Sequence, residues 1–347
     1  MSASTTLNSL RQGDRRIQAP TPLAPARFLF THSLLLRLAF IACLLSCSSL
    51  LGAQPSTPDC SFDRRHEARR LQDDAYRRHH ELIERQHLRL AEQVLADPLG
   101  WREEEENQLL VVPVVVHLFQ TEGDEAPFPG SAVRQALTLL NDGFRYRGAF
   151  GGGPFFSNAG IDGVDTAIEF RLAAPRPDGS PTGGIERHLT SLIGRPIDAA
   201  AGDTEVLDSL LSLAAWPSTD YLNLYVLPSL CDGQGDCPAG FAYPAAAHGR
   251  SFDGIYLTEQ ALRDEAGVLI HEAGHYLDLY HTFEGACTER NCLAEGDRIC
   301  DTPPDCFRAD CAATFPNCLL EQRQNTCGND AEIEHSPFRS DVQDLYE

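Results

Sequence analysis

Short apolar and alternating runs along the chain predict a sheet that packs against helices. The segments LLVVPVVV (109–116), AIEFRLA (167–173) and YLNLYVL (221–227) are β-rich, and the last two alternate as half-buried strands do. After Ser131, apolar side chains recur at intervals of three and four residues, which predicts a helix with Ser131 as its N-cap. This order of strands and helices predicts an α+β domain in which the helix backs the sheet.

The segment HEAGHYLDLYH (271–281) combines a helical pattern with candidate chemistry. His271 and His275 lie four residues apart, so on a helix their imidazoles can hold one metal ion. An amphipathic helix with two solvent-facing histidines is the simpler alternative, but it does not account for a third histidine, His281. The apolar stripe of this helix consists of Ala266, Ile270, Ala273 and Leu277.

His281 follows His275 by six residues, too far along a continuous helix to reach the same ion. The chain must therefore leave the helix near Asp278, and Asp can enter the left-handed backbone region at a cost of roughly 1–2 kcal/mol. With His271, His275 and His281 as ligands, a zinc ion keeps a fourth position for water and lowers the pKa of that water to about 7. Glu272 is then the predicted general base and acid for peptide-bond hydrolysis.

The string resembles the metzincin motif H-E-x-x-H-x-x-G-x-x-H, with Asp278 in place of the glycine. Over residues 110–304 the chain resembles the pappalysin family of metzincins, in particular its secreted bacterial members. The resemblance implies a zinc endopeptidase with a zincin-like catalytic domain, built from a twisted mixed sheet, a backing helix and an active-site helix. The segments that carry the resemblance are LLVVPVVVHLF, ALTLLNDGFR, IEFRLA, PDGSPTGGI, YLNLYVLP, GFAYP, DGIYL, HTFEG and GDRICDTPP.

One element of the family pattern is missing from the sequence. Metzincins carry a Met-turn beneath the zinc, in pappalysins Asn-Tyr-Met-Asp/Ser-Tyr, whereas the only methionine here is Met1. The sequence stops at DVQDLYE (341–347), where the family pattern would next run into that turn, so we expect residues 110–347 to be a C-terminally truncated catalytic domain. Two alternatives stay open: a catalytically inactive zincin-fold binding or adhesion protein, and a structural zinc site, which would be closed by a fourth ligand and would not need Glu272.

The first 53 residues predict export. An apolar stretch from Leu38 to Leu51 follows basic residues, is too short to span a bilayer, and precedes small residues suited to cleavage before Gln54. We therefore expect residues 1–53 to be a signal peptide with an N-terminal extension, and the mature protein to be secreted. Acylation of Cys47 as a lipoprotein is the alternative.

Residues 54–109 are rich in Arg, Glu and His, and they predict a solvated helical pro-segment or linker. Its histidines are expected on a solvated face without ligand geometry: His66, His79, His80 and His87. Metzincin zymogens often hold a pro-segment cysteine on the zinc, and a thiolate is a better zinc ligand than water. Cys60 is the candidate for this latency ligand, with a disulfide as its alternative role.

Cysteines crowd the C-terminal part of the chain, with seven between residues 287 and 327. In an exported chain this density predicts a disulfide-rich irregular subdomain, because no C-x-x-C pair indicates a second zinc cluster. Cys231 and Cys237 are close enough to close a small loop before GFAYP (240–244), a strand that lines the substrate cleft in the family. Pappalysin-like enzymes also use calcium near the cleft. The candidate calcium ligands are Glu284, Asp297, Asp301 and Thr302, with plain loop acidity as the alternative.

The formal net charge of −22 limits the range of partners. All 28 basic residues are arginines, and such an acidic surface argues against binding nucleic acid or an anionic membrane. The expected partner is a protein or peptide substrate, without stable insertion into a membrane.

Overall fold

A six-stranded mixed sheet lies at the centre of the chain in the computed structural model. The strand order is β2-β1-β4-β6-β5, with β3 also paired to β1, and all pairs are parallel except β5 with β6. The strands are β1 (Leu110–Gln120), β2 (Ile168–Leu172), β3 (Ile185–Leu189), β4 (Leu222–Leu227), β5 (Gly240–Ala242) and β6 (Ile255–Thr258).

The structure describes residues 62–96, 109–121, 127–148, 164–192, 205–231, 237–264, 266–285, 287–304, 327–337 and 339. They all belong to one compact unit, Pro55–Glu347. The predicted signal peptide, with Cys47, and the predicted latency ligand Cys60 lie outside the described residues. None of the described helices combines the length and the apolar character needed to cross a membrane.

Strand β1 is long enough to serve two neighbours on one side. Its first half pairs with β2, for example Val112 with Phe170, and its second half pairs with β3, for example Phe119 with His188. On the other side Val116 pairs with Leu224 of β4. From Val114 to Gln120 the strand is buried at every position, because a strand inside a parallel sheet is covered on both faces, whereas Leu110 and Val111 at its start are exposed.

Three helices cover one face of the sheet: α3 (Gly130–Phe144), α5 (Glu259–Asp264) and α6 (Ala266–Tyr276). Helix α4 (Glu205–Ala214) packs with aromatic side chains over the other face. Strand β4 is therefore buried at every position, and the prediction that YLNLYVL is half-buried is wrong. Its polar positions are covered by packing on the second face, where Tyr225 stacks against Tyr256 at 4.9 Å between ring centroids.

The mixed α+β architecture, the backing helix and the active-site helix are confirmed. The predicted position of the N-cap of α3 is not confirmed. The helix begins at Gly130 after Pro129, so Ser131 as the N-cap is wrong. The backbone explains the shift, because the first turn is closed by a hydrogen bond from the Ala132 amide to the Pro129 carbonyl, at 3.0 Å.

The N-terminal part of the described chain forms two helices, α1 (Phe62–Gln72) and α2 (Asp74–Ala96). Asp73 separates them and caps α2, since its Oδ1 accepts hydrogen bonds from the amides of Ala75 and Tyr76. Helices were expected here, but a wholly solvated surface was wrong, since Phe62 and Tyr76 are buried, as are His66 and His80. The physical reason is that both helices pack onto the rest of the unit, which helical spacing alone does not reveal.

Disulfides link the irregular segments around and beyond the sheet. Cys231 bonds to Cys237, which confirms the predicted small loop before β5. In the C-terminal region Cys287 bonds to Cys327 and Cys292 to Cys300. The remaining three cysteines of that region, Cys306, Cys311 and Cys318, lie outside the described residues.

Candidate metal centre

Helix α6 carries the motif against a fixed background. Leu269 and Ala273 are buried in the core beneath the helix, and Ile270 lies close to Gly143 of α3. A Cβ atom added at Gly143 would come within 3.0 Å of the Ile270 side chain, so the two helices approach as closely as glycine allows. This packing fixes the rotation of α6, and with it the direction in which His271 and His275 project.

The turn after α6 brings the third histidine back to the helix. The helix ends at Tyr276, Asp278 has a φ of +73°, and the Leu279 amide donates to the Gly274 carbonyl at 3.0 Å. The predicted exit from the helix and the left-handed conformation of Asp278 are confirmed. The Asp278 carboxylate is used at this turn, because its Oδ1 accepts a hydrogen bond from the Ala245 amide at 2.9 Å.

The imidazoles of His271, His275 and His281 converge at one point. The Nε2 atom of His275 lies 3.0 Å from that of His271 and 3.1 Å from that of His281. Nitrogens that share a tetrahedral zinc at 2.0–2.1 Å lie about 3.3 Å apart, so this donor set fits zinc closely. Burial, together with the neighbouring imidazole of His281, lowers the pKa of His271 to about 4, so at neutral pH its ring is in the uncharged form that binds metal.

The outer nitrogens of two of these rings have partners that fix ring orientation. The Nδ1 atom of His275 lies 2.8 Å from the Leu279 carbonyl, so the same turn that returns the chain also orients this ring. The Nδ1 atom of His281 lies 3.1 Å and 3.2 Å from the two carboxylate oxygens of Asp63 in α1. No sequence pattern indicates this contact of Asp63, because Asp63 is far from the motif along the chain.

Glu272 is fully buried beside the three histidines. It lies against Gly240 of the edge strand β5, where an added Cβ would come within 3.1 Å of the Glu272 Cγ and 2.6 Å of a Leu257 methyl. The glycine is thus required for the close approach of strand and carboxylate side chain. Sequence inspection placed GFAYP near a cleft but did not identify Gly240 as the contact of Glu272.

Helix α1 covers the candidate metal centre. The ring of Phe62 stacks on His275 at 4.0 Å between centroids with an interplanar angle of 7°, and it meets His281 edge-on at 5.8 Å. Farther along the helix, the Arg65 guanidinium lies 3.9 Å from the ring centroid of Phe241 in β5. The predicted pro-segment therefore contacts both the histidine cluster and the neighbouring edge strand.

The four predicted calcium ligands are not gathered at one point. Asp297 and Thr302 line a small cavity together with Glu289, a buried carboxylate that sequence inspection missed. Burial raises the pKa of Asp297 to about 6. Glu284 lies instead beside Asp63 and His281, within ligand distance of both. Asp301 is exposed next to the cavity segment.

Comparison with protein families matches the part of the chain that carries this centre. The family model of peptidase M43, described as pregnancy-associated plasma protein-A, matches residues 205–331. An extracellular metalloprotease of Sordaria macrospora is 33% identical over 89 residues, or 24% of this chain and 30% of that protein. One of Verticillium alfalfae is 34% identical over 111 residues, or 28% of this chain and 36% of that protein. The chain thus spans about a third of the length of these relatives.

Two solved structures from Tannerella forsythia are also similar. Mature mirolysin in complex with a cleaved peptide is 25% identical with a TM-score of 0.45, over 57% of this chain and 73% of that chain. A promirolysin mutant is 22% identical with a TM-score of 0.46, over 71% of this chain and 76% of that chain. The family match bears out the resemblance to pappalysins over residues 205–331, the part of the chain that carries the three histidines.

Proposed function

We propose that this chain is a secreted, zinc-dependent endopeptidase. The observation that carries the proposal is the convergence of the His271, His275 and His281 Nε2 atoms beside the buried Glu272. The curated relatives support it, since they are named extracellular metalloproteases. An inactive binding protein is disfavoured, because such a protein has no need to keep an acidic side chain buried beside the ligands at a cost in desolvation.

The mechanism divides the work between the metal and Glu272. A zinc ion held by the three imidazoles would act as a Lewis acid that polarises the substrate carbonyl and lowers the pKa of water. The Glu272 carboxylate would accept a proton from the attacking water and deliver it to the leaving amine nitrogen. Gly240 and Leu257 hold Glu272 in place, and Leu279 and the turn hold the His275 ring. Once the N-terminal helices are removed, an extended substrate would pair with the outer edge of β5, the last strand in the order of the sheet.

The N-terminal helices would keep this enzyme latent as a zymogen. Phe62 occupies the space against His275, and Asp63 engages His281, so a substrate cannot reach the centre while α1 is docked. Cys60 precedes Phe62 by two residues, and the backbone keeps their Cα atoms within about 7 Å. Its thiolate is our candidate for the fourth zinc position, to be released by cleavage among the arginines between residues 63 and 102. Calcium bound near Asp297 and Thr302 would support the fold of the cleft region.

The substitution Glu272→Gln tests the mechanism. The amide has nearly the same shape but cannot accept the proton, so zinc content should stay at one ion in the trihistidine centre while cleavage of casein or gelatin falls by at least about 1,000-fold. Zinc is measured by metal analysis, and activity after removal of the N-terminal helices with trypsin. The matched variant Glu259→Gln, at the partly exposed start of α5, should keep full activity. Full activity in Glu272→Gln would remove this residue from the mechanism.

A further inference from the structure

A second group of metal-binding side chains lies where α2 meets the turn of the metal motif. Glu84 and His87, one helical turn apart on α2, face Asp278, and one ligand atom from each lies within 4.8 Å of the others. We propose that Glu84, His87 and Asp278 form a second site for a divalent transition metal such as zinc, separate from the trihistidine centre. The site goes beyond the proposed peptidase function and does not depend on it.

The local geometry suits one shared ion. The His87 Nδ1 atom lies 3.1 Å from the Asp278 Oδ2 atom, close to the separation of about 3.3 Å between two ligands of a tetrahedral zinc. Residues three apart on a helix are neighbours on its surface, so Glu84 adds its carboxylate from the same side as His87. One nitrogen and two carboxylate oxygens are a donor set that zinc, cobalt and nickel accept.

The state of Asp278 is the second observation that points to a cation. Its side chain is only 5% exposed, and Oδ1 accepts the hydrogen bond from the Ala245 amide. Oδ2 is buried, and within the described ranges it accepts no hydrogen bond of good geometry, although His87 Nδ1 lies opposite. A buried carboxylate oxygen in this state is costly unless a positive charge compensates it. An ion between Asp278 and His87 would supply that charge.

The Glu84 carboxylate also lies where its negative charge is only partly compensated. Burial raises the pKa of Glu84, as expected where compensation of buried negative charge is incomplete. Arg298 compensates in part, since its Nη1 lies 2.9 Å from Glu84 Oε1 while its guanidinium stacks on the Tyr280 ring. The two carboxylates and the guanidinium together carry a net charge of −1, which favours the binding of a divalent cation.

Access to the site is open from the His87 side. The His87 side chain is 48% exposed, whereas the trihistidine centre is covered by α1. An ion can therefore enter without displacement of the N-terminal helices. Once bound, the ion would join α2 to the turn that positions His281. It would thereby link the helical layer formed by α1 and α2 to the metal motif. The competing explanation is a metal-free ion pair between protonated His87 and Asp278.

Metal stoichiometry decides between the two explanations. The full chain, stripped with a chelator, is titrated with Co²⁺ and followed by visible absorbance and metal analysis. We expect two ions per chain in the parent and one in His87→Ala and in Asp278→Gly, a residue that suits the positive φ of the turn. His335→Ala is the matched control, because His335 is also exposed beside a carboxylate, Glu334 at 3.6 Å, and it should still bind two ions.

The same titration separates this inference from the proposed function. His271→Ala should lose the other ion and keep the one at His87. If the parent binds only one ion and His271→Ala abolishes that binding, the second site does not exist while the peptidase centre stands. If His87→Ala still binds two ions, the inference is overturned as well. Circular dichroism of each variant confirms that the fold is retained, and Asp278→Gly provides an independent arm should His87→Ala fail to fold.

Discussion

The metal motif and the helical layer above it both contain buried histidines, but they organise them in opposite ways. In α6 and its turn, spacing along one short segment brings the Nε2 atoms of His271 and His281 to within about 3 Å of that of His275. In α1 and α2, each buried histidine instead takes a partner on another element: His66 contacts the Tyr76 hydroxyl, and His80 the Tyr280 hydroxyl. The first arrangement suits the binding of one ion. The second joins α1 to α2 and α2 to the segment after α6.

Two arginines of α1 contact aromatic rings of the unit beneath the helical layer. Arg65 lies over Phe241 and Arg69 over Phe252, at 3.9 Å and 4.1 Å from the ring centroids. Such cation–π contacts contribute about 0.5–2 kcal/mol each, less than the burial of a large apolar side chain in a core. The sheet and α3 retain their own core without the layer. We therefore expect removal of the layer to leave this core folded, although it exposes the part of the second core that Tyr76 covers.

Removal of the helical layer should give the largest effect. Limited trypsin digestion of the intact protein is expected to raise peptide cleavage by at least about 100-fold, because it frees His275 from Phe62 and opens the edge of β5. Phe62→Ala should give part of this gain without proteolysis. Initial rates on a quenched peptide, before and after trypsin, provide the measurement, in a chain that includes any downstream Met-turn.

Cys60→Ala separates the thiol from the helix as the source of latency. If Cys60 holds the zinc and thereby also keeps α1 docked, this variant should be active before trypsin, and trypsin should add little. If the helix alone blocks the centre, Cys60→Ala should stay latent while Phe62→Ala does not. Equal rates for intact and trimmed parent protein, or Cys60 in a disulfide by mass spectrometry, would show that the switch does not exist.

The comparison also shows which parts of the structure a sequence specifies by itself. Strands β1, β2 and β4, helices α3 and α6 and the turn at Asp278 follow from short-range patterns, because their periodicity and their conformational preferences lie within about ten residues. The contact of Asp63 with His281 could not be predicted, since it depends on how α1 docks. His66 and His80 were placed on a solvated face for the same reason: a charged helix shows its buried side only once its partner surface is known.

Gly240→Ala should give the next largest effect. It changes the candidate metal centre itself, because Gly240 lies against Glu272. The added methyl would meet both the Glu272 side chain and Leu257, so the carboxylate must move by several tenths of an ångström. We expect kcat of the trimmed protein to fall about 10- to 100-fold with zinc content unchanged. Gly183→Ala is the matched control, because its added Cβ would meet nothing within 4 Å and should leave kcat unaltered. An unchanged kcat in Gly240→Ala would contradict the positioning role of this glycine.

A lower pH should increase the opening of α1, with a smaller effect than the substitutions above. Burial, with a smaller contribution from His80, lowers the pKa of His66 from 6.5 to about 3, so the folded state binds fewer protons than the unfolded state. Its contribution to stability is therefore complete above pH 6.5 and is lost as pH falls toward 3. Between pH 7 and 5.5, opening of α1 should increase about tenfold, as measured by hydrogen exchange corrected for intrinsic rates. In His66→Gln, which keeps a partner for Tyr76, this increase should become smaller; an unchanged increase would assign it to other groups.

Calcium should give the smallest effect, confined to the region below the centre. Asp297 and Thr302 line the cavity with Glu289, and the raised pKa of Asp297 shows that its charge lacks compensation. If the site binds calcium with the millimolar affinity of extracellular modules, a few-fold excess stabilises the fold by about 1 kcal/mol. For a domain of this size that raises Tm by about 2–4 °C. Thermal melts use chelator-treated protein reloaded with zinc, with and without calcium. Asp297→Asn should abolish the rise, whereas the exposed Asp220→Asn should keep it; if calcium does not raise the parent Tm, the acidic loop has no calcium role.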